Sequence, residues 1–87
     1  MSDETLLQFP CEFPLKISGR HDDEFRSIAL GIVRKHVAEV DMLSIEERPS
    51  KTGKYLGLTY VIRATSKAQL DALYLDLTSC EKVLVVL

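Results

Sequence analysis

The sequence predicts an α+β, ferredoxin-like sandwich: a four-stranded antiparallel sheet, strand order 4-1-3-2, with two helices on one face. Three observations carry that expectation. Stretches around 13–18, 42–48, 55–64 and 82–87 have strand length and strand-like apolar patterning. Stretches 23–38 and 66–78 repeat apolar residues every three or four positions, as amphipathic helices do. The resulting order, β-α-β-β-α-β, closes with right-handed crossovers into the split βαβ arrangement.

Eighty-seven residues leave room for one domain with a modest core, burying roughly 60% of the unfolded surface. Residues 1–8 read as a mobile tail and 9–87 as the domain. In the first strand Phe13, Leu15 and Ile17 alternate with Pro14, Lys16 and Ser18, and Gly19 ends it as a residue free to take positive φ. Asp22 and Asp23 offer N-caps to the first helix, whose stripe is Phe25, Ile28, Ala29, Ile32, Val33 and His36. Gly31 within it is expected to permit close approach to the sheet. The second strand, Met42 to Arg48, alternates less cleanly and reads as an edge. Ser50 to Gly53 form a turn, with Gly53 as the left-handed residue.

The third strand sends Leu56, Leu58, Tyr60, Ile62 and Ala64 inward, and Tyr55, Gly57, Thr59, Val61 and Arg63 outward. Ser66 and Gln69 have capping-box spacing ahead of the stripe Leu70, Leu73, Tyr74 and Leu77. In the last strand Val83, Val85 and Leu87 point one way, Leu84 and Val86 the other.

Charge is unevenly spread. Between Arg48 and Lys67 stand five basic residues and no acid, whereas the net charge of the whole is −2. That stretch reads as a docking patch for an acidic partner, or as a solvated hairpin. The opening is acidic and lacks the apolar region of a secretory signal, and no apolar run approaches the roughly 20 residues of a membrane helix. A cytoplasmic protein with Cys11 and Cys80 as free thiols is expected.

Catalytic signatures are missing. Neither His21 nor His36 accompanies a placed nucleophile, and His36 on the buried stripe reads as a core or helix-end residue bonded to a backbone carbonyl. No spacing matches zinc, calcium or a phosphate-binding loop, so no metal or cofactor is expected. RNA-recognition domains share this topology, but Tyr55 is the single outward aromatic on the third strand, which argues against nucleic acid.

Several motifs together resemble one family. Phe9-Pro10, Phe13, Lys16 and Gly19 spell F-P-x-x-F-x-x-K-x-x-G, and Arg48-Pro49-Ser50 with Gly53 and Tyr55 resembles a second block, R/K-P-S-S-K-G-x-Y. Arg34 with Lys35-His36 and the closing Val-Leu pair fit as well. In this order the chain is similar to the YbeD-like family of small bacterial proteins of unknown function. The resemblance implies a ferredoxin-like fold related to ACT-type regulatory domains, a bacterial cytoplasmic protein, and no established activity. Lys51 and Thr52 depart from the family's usual Ser and Lys at the hairpin tip.

The expected function is a non-enzymatic regulatory or adaptor domain. Its open sheet face would bind a protein partner or a second copy through Lys16, Arg48, Lys51, Lys54, Tyr55, Val61, Arg63, Leu84 and Val86. The alternative is an ACT-like sensor holding a small metabolite near Gly19, Arg20 and His36.

Overall fold

The computed structural model describes residues 8–87. Of the expected tail, residues 1–7 lie outside the described residues. The elements are β1 (Cys11–Arg20), α1 (Asp23–His36), a 3-10 turn (Glu39–Asp41), β2 (Met42–Pro49), β3 (Tyr55–Ala64), α2 (Lys67–Thr78) and β4 (Val83–Val86). The sheet order is β2-β3-β1-β4 with every pair antiparallel, which is the predicted order read from the other edge. No helix among the described residues is long and apolar enough to cross a membrane.

The alternation in β1 and β3 builds the core. Leu15 and Ile17 of β1 and Leu56, Leu58, Tyr60, Ile62 and Ala64 of β3 are buried on one face. Against them pack Phe25, Ala29, Ile32 and Val33 of α1 and Leu70, Leu73 and Leu77 of α2, so both helices share that face. The edge-on contact of Phe13 with Tyr74, ring centroids 6.4 Å apart, closes one side.

Pro14 sits inside β1 although proline has no N–H for a ladder. Lys16 exchanges both backbone bonds with Leu87, N–H to O at 3.2 Å and O to N–H at 2.8 Å. The groups of Lys16 therefore face the β4 side, and so, two residues back, does the nitrogen of Pro14. That nitrogen points beyond Leu87, away from the β1–β3 ladder, and costs it nothing.

Several expectations are corrected. β1 does not end at Gly19 but runs to Arg20, and Gly19 is not a positive-φ residue. It is glycine because a Cβ there would stand 2.5 Å from the Phe25 ring and 2.7 Å from the Lys82 carbonyl oxygen. Gly31 allows no close approach: it is exposed, with nothing within 4 Å of a Cβ. Helix α1 stops at His36 rather than 38, because Val37 turns extended (φ −129°, ψ 123°) and buries its side chain. Gly53 is left-handed as expected, φ +78°.

The caps hold with one change. Asp22 accepts from Phe25 N–H at 2.7 Å, and Ser66 Oγ from Gln69 N–H at 3.0 Å. Gln69 does not return to Ser66. Its Oε1 accepts from Thr65 N–H at 2.8 Å, and its Nε2 donates to the His36 carbonyl at 2.8 Å, joining the start of α2 to the end of α1.

Candidate functional site

A bulge decides which side chains of β4 reach the open face. Between Ser18 and Gly19 the β1–β4 register shifts, so Val83 pairs with Gly19, Val85 with Ser18 and Val86 with Ile17. Leu84 is the extra residue. The predicted phase of β4 is therefore inverted past this point. Val86 packs on the core side and is withdrawn from the partner-binding set, while Val85 and Leu87 replace it on the open face. Leu84, 55% exposed, lies at the strand's edge near Arg20 and Phe25.

The open face is laid out in cross-strand rows. One row runs Glu46, Thr59, Lys16, Leu87; the next runs Arg48, Gly57, Ser18, Val85. Gly57 and Ser18 give the second row a low floor, and a groove of ≈ 650 Å³ forms over both rows. A third level places Tyr55 opposite Arg20. Tyr55 is 47% exposed.

The five basic residues of 48–67 do not form one patch. Arg48, Lys51 and Lys54 stay together at the β2–β3 hairpin end. Arg63 lies nine residues along β3 from Lys54, roughly 30 Å at about 3.3 Å per residue, where it faces Glu12. Lys67 is on α2, paired with Asp71 at 2.9 Å. Val61 is half-buried beside Pro14 toward that distant end. Arg20 takes Arg63's place in the cluster. Arg20 stands opposite Tyr55, Arg48, Lys51 and Lys54 lie on the adjoining hairpin, and none of the four cations has an acidic partner among the described residues. The signal for Arg20 was present: carrying the period-two alternation two residues past Ser18 puts it outward.

The hairpin itself is held in shape. Ser50 N–H donates to Tyr55 O at 2.8 Å and Gly53 N–H to Ser50 O at 3.0 Å, while Tyr55 N–H donates to Ser50 Oγ at 3.1 Å. His21 braces it from β1's end, its N–H on Lys54 O at 2.9 Å and its Nδ1 3.0 Å from Gly53 O.

The alternative site does not come together. Gly19 stands before the N-terminus of α1 and His36 at its C-terminus, about 20 Å apart over a 14-residue helix. The crevice beside Arg20 holds ≈ 190 Å³, below the roughly 300 Å³ of ordinary ligand pockets. His36 is not bonded to a backbone carbonyl: its Nε2 lies 2.9 Å from Asp76 Oδ2, where its hydrogen bond, with the Lys35 charge, holds that carboxyl below the usual range. Among the described residues no group of three or more His, Cys, Asp or Glu could hold a metal. Cys11 and Cys80 are free.

The model of a family described as proteins of unknown function, DUF493, matches residues 4–87. A UPF0250 protein of Paraburkholderia phytofirmans is 47% identical over 85 residues, covering 98% of this chain and 96% of the relative. The solution structure of HP0495 from H. pylori superposes with a TM-score of 0.75 at 13% identity, covering 93% of this chain and 85% of that one. The uncharacterized TM1266 from Thermotoga maritima gives 0.66 at 14% identity, covering 87% and 92%. At such identities the likeness to the two structures concerns the fold.

Proposed function

The chain belongs to the DUF493 (UPF0250, YbeD-like) family, whose function is unknown, and from that premise we propose that it is a non-enzymatic adaptor. It binds an acidic protein partner at the hairpin end of its open sheet face. The observation that carries this reading is the gathering of unpaired Arg20, Arg48, Lys51 and Lys54 at the hairpin end, which also exposes Tyr55, beside a groove walled by Val85 and Leu87. Unpaired cations steer an acidic surface, and an aromatic with neighbouring apolar side chains supplies area to bury.

The test is affinity capture from the native cell at native expression level. The baits are the intact protein, a variant with Glu at Arg48, Lys51 and Lys54, and Arg63→Glu. The expected result is a partner lost with the triple variant and kept with Arg63→Glu. Identical capture by all three baits sinks the reading.

A second reading, small-molecule sensing, draws on the groove volume, which falls in the range of ligand pockets. It moves the expected metabolite site from Gly19 and His36 to Lys16 and Arg48. An anionic metabolite at a hundredfold excess over its Kd would add about 2.7 kcal/mol of stability. A metabolite panel without a thermal shift counts against it.

A further inference from the structure

The edge of β2 carries a surface that neither the groove nor the hairpin uses. Val40, Leu43 and Ile45 are large apolar side chains that remain exposed, Val40 at 83%. Ile45 lies on the helix side of the sheet, because it pairs with buried Tyr60. Glu47, two residues on, shares that side and is bound by Arg26 of α1. Helix α1 runs antiparallel to β2. The step from Arg26 to Leu30, about 6 Å along the helix, therefore matches the step from Glu47 to Ile45, about 6.6 Å along the strand. Half-buried Leu30 stands level with Ile45 and extends the apolar strip.

The backbone at this edge is equally unpartnered. Ser50 N–H donates to Tyr55 O, so the even-numbered residues Ser44, Glu46 and Arg48 turn their groups toward β3. By alternation, Ile45 and Glu47 turn theirs outward, where no strand lies. The opposite edge, β4, has 4 residues with its bulge at Leu84, whereas β2 has 8, and its bulge at Leu43 leaves 44–49 regular.

We propose that β2 is a homodimerisation edge. It pairs antiparallel with the same strand of a second copy, about a two-fold axis at Ile45, and joins two sheets into one of eight strands. Charge selects this register. Centred on Ile45, it sets Ile45 against its own copy and Ser44 against Glu46, with no like charges opposed. Centring on Glu46 or Glu47 would oppose two carboxylates directly, which is destabilising. Because the axis passes through Ile45, the two Ile45 side chains meet each other, the isologous contact of a two-fold interface.

Sedimentation velocity on the intact chain, carried to about 1 mM, tests this. The expected result is a concentration-dependent doubling of mass. Ile45→Lys weakens the association by more than about tenfold, since each dimer loses two buried side chains, and leaves the far-ultraviolet dichroism unchanged. Ile45→Cys is joined to its copy by a short bismaleimide, because directly opposed, hydrogen-bonded residues of an antiparallel pair have Cα atoms only about 5.5 Å apart. The native protein, whose Cys11 and Cys80 are half-buried, does not cross-link. A monomer throughout, a dimer indifferent to Ile45→Lys, or no bismaleimide cross-link from Ile45→Cys overturns the proposal. The first of these leaves β2 free to receive a strand of another protein; the second points to a dimer through the open face.

Discussion

Arg26 grips Glu47 with two bonds, Nε to Oε2 at 2.9 Å and Nη2 to Oε1 at 3.2 Å, and so ties α1 to the edge strand β2. The same guanidinium reaches Asp23 through Nη1 at 2.8 Å. Its Nη2 also lies 3.2 Å from His21 Nε2. Arginine has only N–H donors, so His21 Nε2 accepts and His21 Nδ1–H donates to Gly53 O. One side chain thereby links helix, edge strand and hairpin, and Glu47, more than any other group, raises its pKa.

Glu47→Gln is expected to lower the melting temperature while preserving the fold. Both partners are partly exposed, so the loss should be small and should shrink with added salt. Thermal melts of both proteins at low and high ionic strength measure it. A loss independent of salt would show that packing, and not charge, is what Glu47 supplies.

Two glycines are expected to respond with opposite sign. Gly19→Ala drives a methyl into the Phe25 ring and the Lys82 carbonyl, and should cost about 1–3 kcal/mol. Gly31→Ala meets nothing and sits inside α1, where alanine is favoured by up to about 1 kcal/mol. Urea denaturation of the two variants decides both. A stabilising Gly19→Ala would mean that β1, α1 and the 80–83 turn are not packed as described.

Acid should loosen the contact between the two helices. His36 and Lys35 at the end of α1 hold the Asp76 carboxyl below its ordinary range, with the His36 hydrogen bond as the larger cause. A folded-state pKa that is depressed contributes stability present above the unfolded value and lost as pH falls through the folded one. This part of the stability is therefore complete at neutral pH. It disappears as pH drops from the usual carboxylate range through the lowered value of Asp76. Denaturation between pH 7 and pH 2 should show that decline in the native protein and a shallower one in Asp76→Asn. Equal slopes would remove the helix-to-helix pair from the account of acid stability.

The alternation through β1 and β3 placed every inward residue from Leu15 to Ala64 correctly, because both strands are central and a one-residue slip would expose the whole set. The caps at Asp22 and Ser66 were equally readable, since capping is local chemistry. The bulges at Leu43 and Leu84 were not. A bulge depends on the partner's register, and nothing in Val83-Leu84-Val85-Val86 marks the extra residue. The cation stretch misled for a related reason: neighbours in sequence along a 10-residue strand are far apart in space, while Arg20, distant in sequence, is brought beside Tyr55 by pairing.

The bulge at Leu84 yields the sharpest test, because it reverses the roles of two adjacent valines. Val86 pairs with Ile17 and packs against the core; Val85 pairs with Ser18 and faces the groove. Val86→Ser trades apolar contact for a hydroxyl in a largely dry setting and should cost about 1–2 kcal/mol. Val85→Ser, at a residue 48% exposed to water, should stay within about 0.5 kcal/mol. Regular alternation through β4 would demand the reverse ranking. The pair is also informative for binding. If the groove receives a partner, Val85→Ser weakens capture in a protein as stable as the native one, whereas Val86→Ser weakens it only in proportion to lost folding. Comparing urea midpoints with capture yields for the two variants separates an interface residue from a core residue at neighbouring positions in one strand.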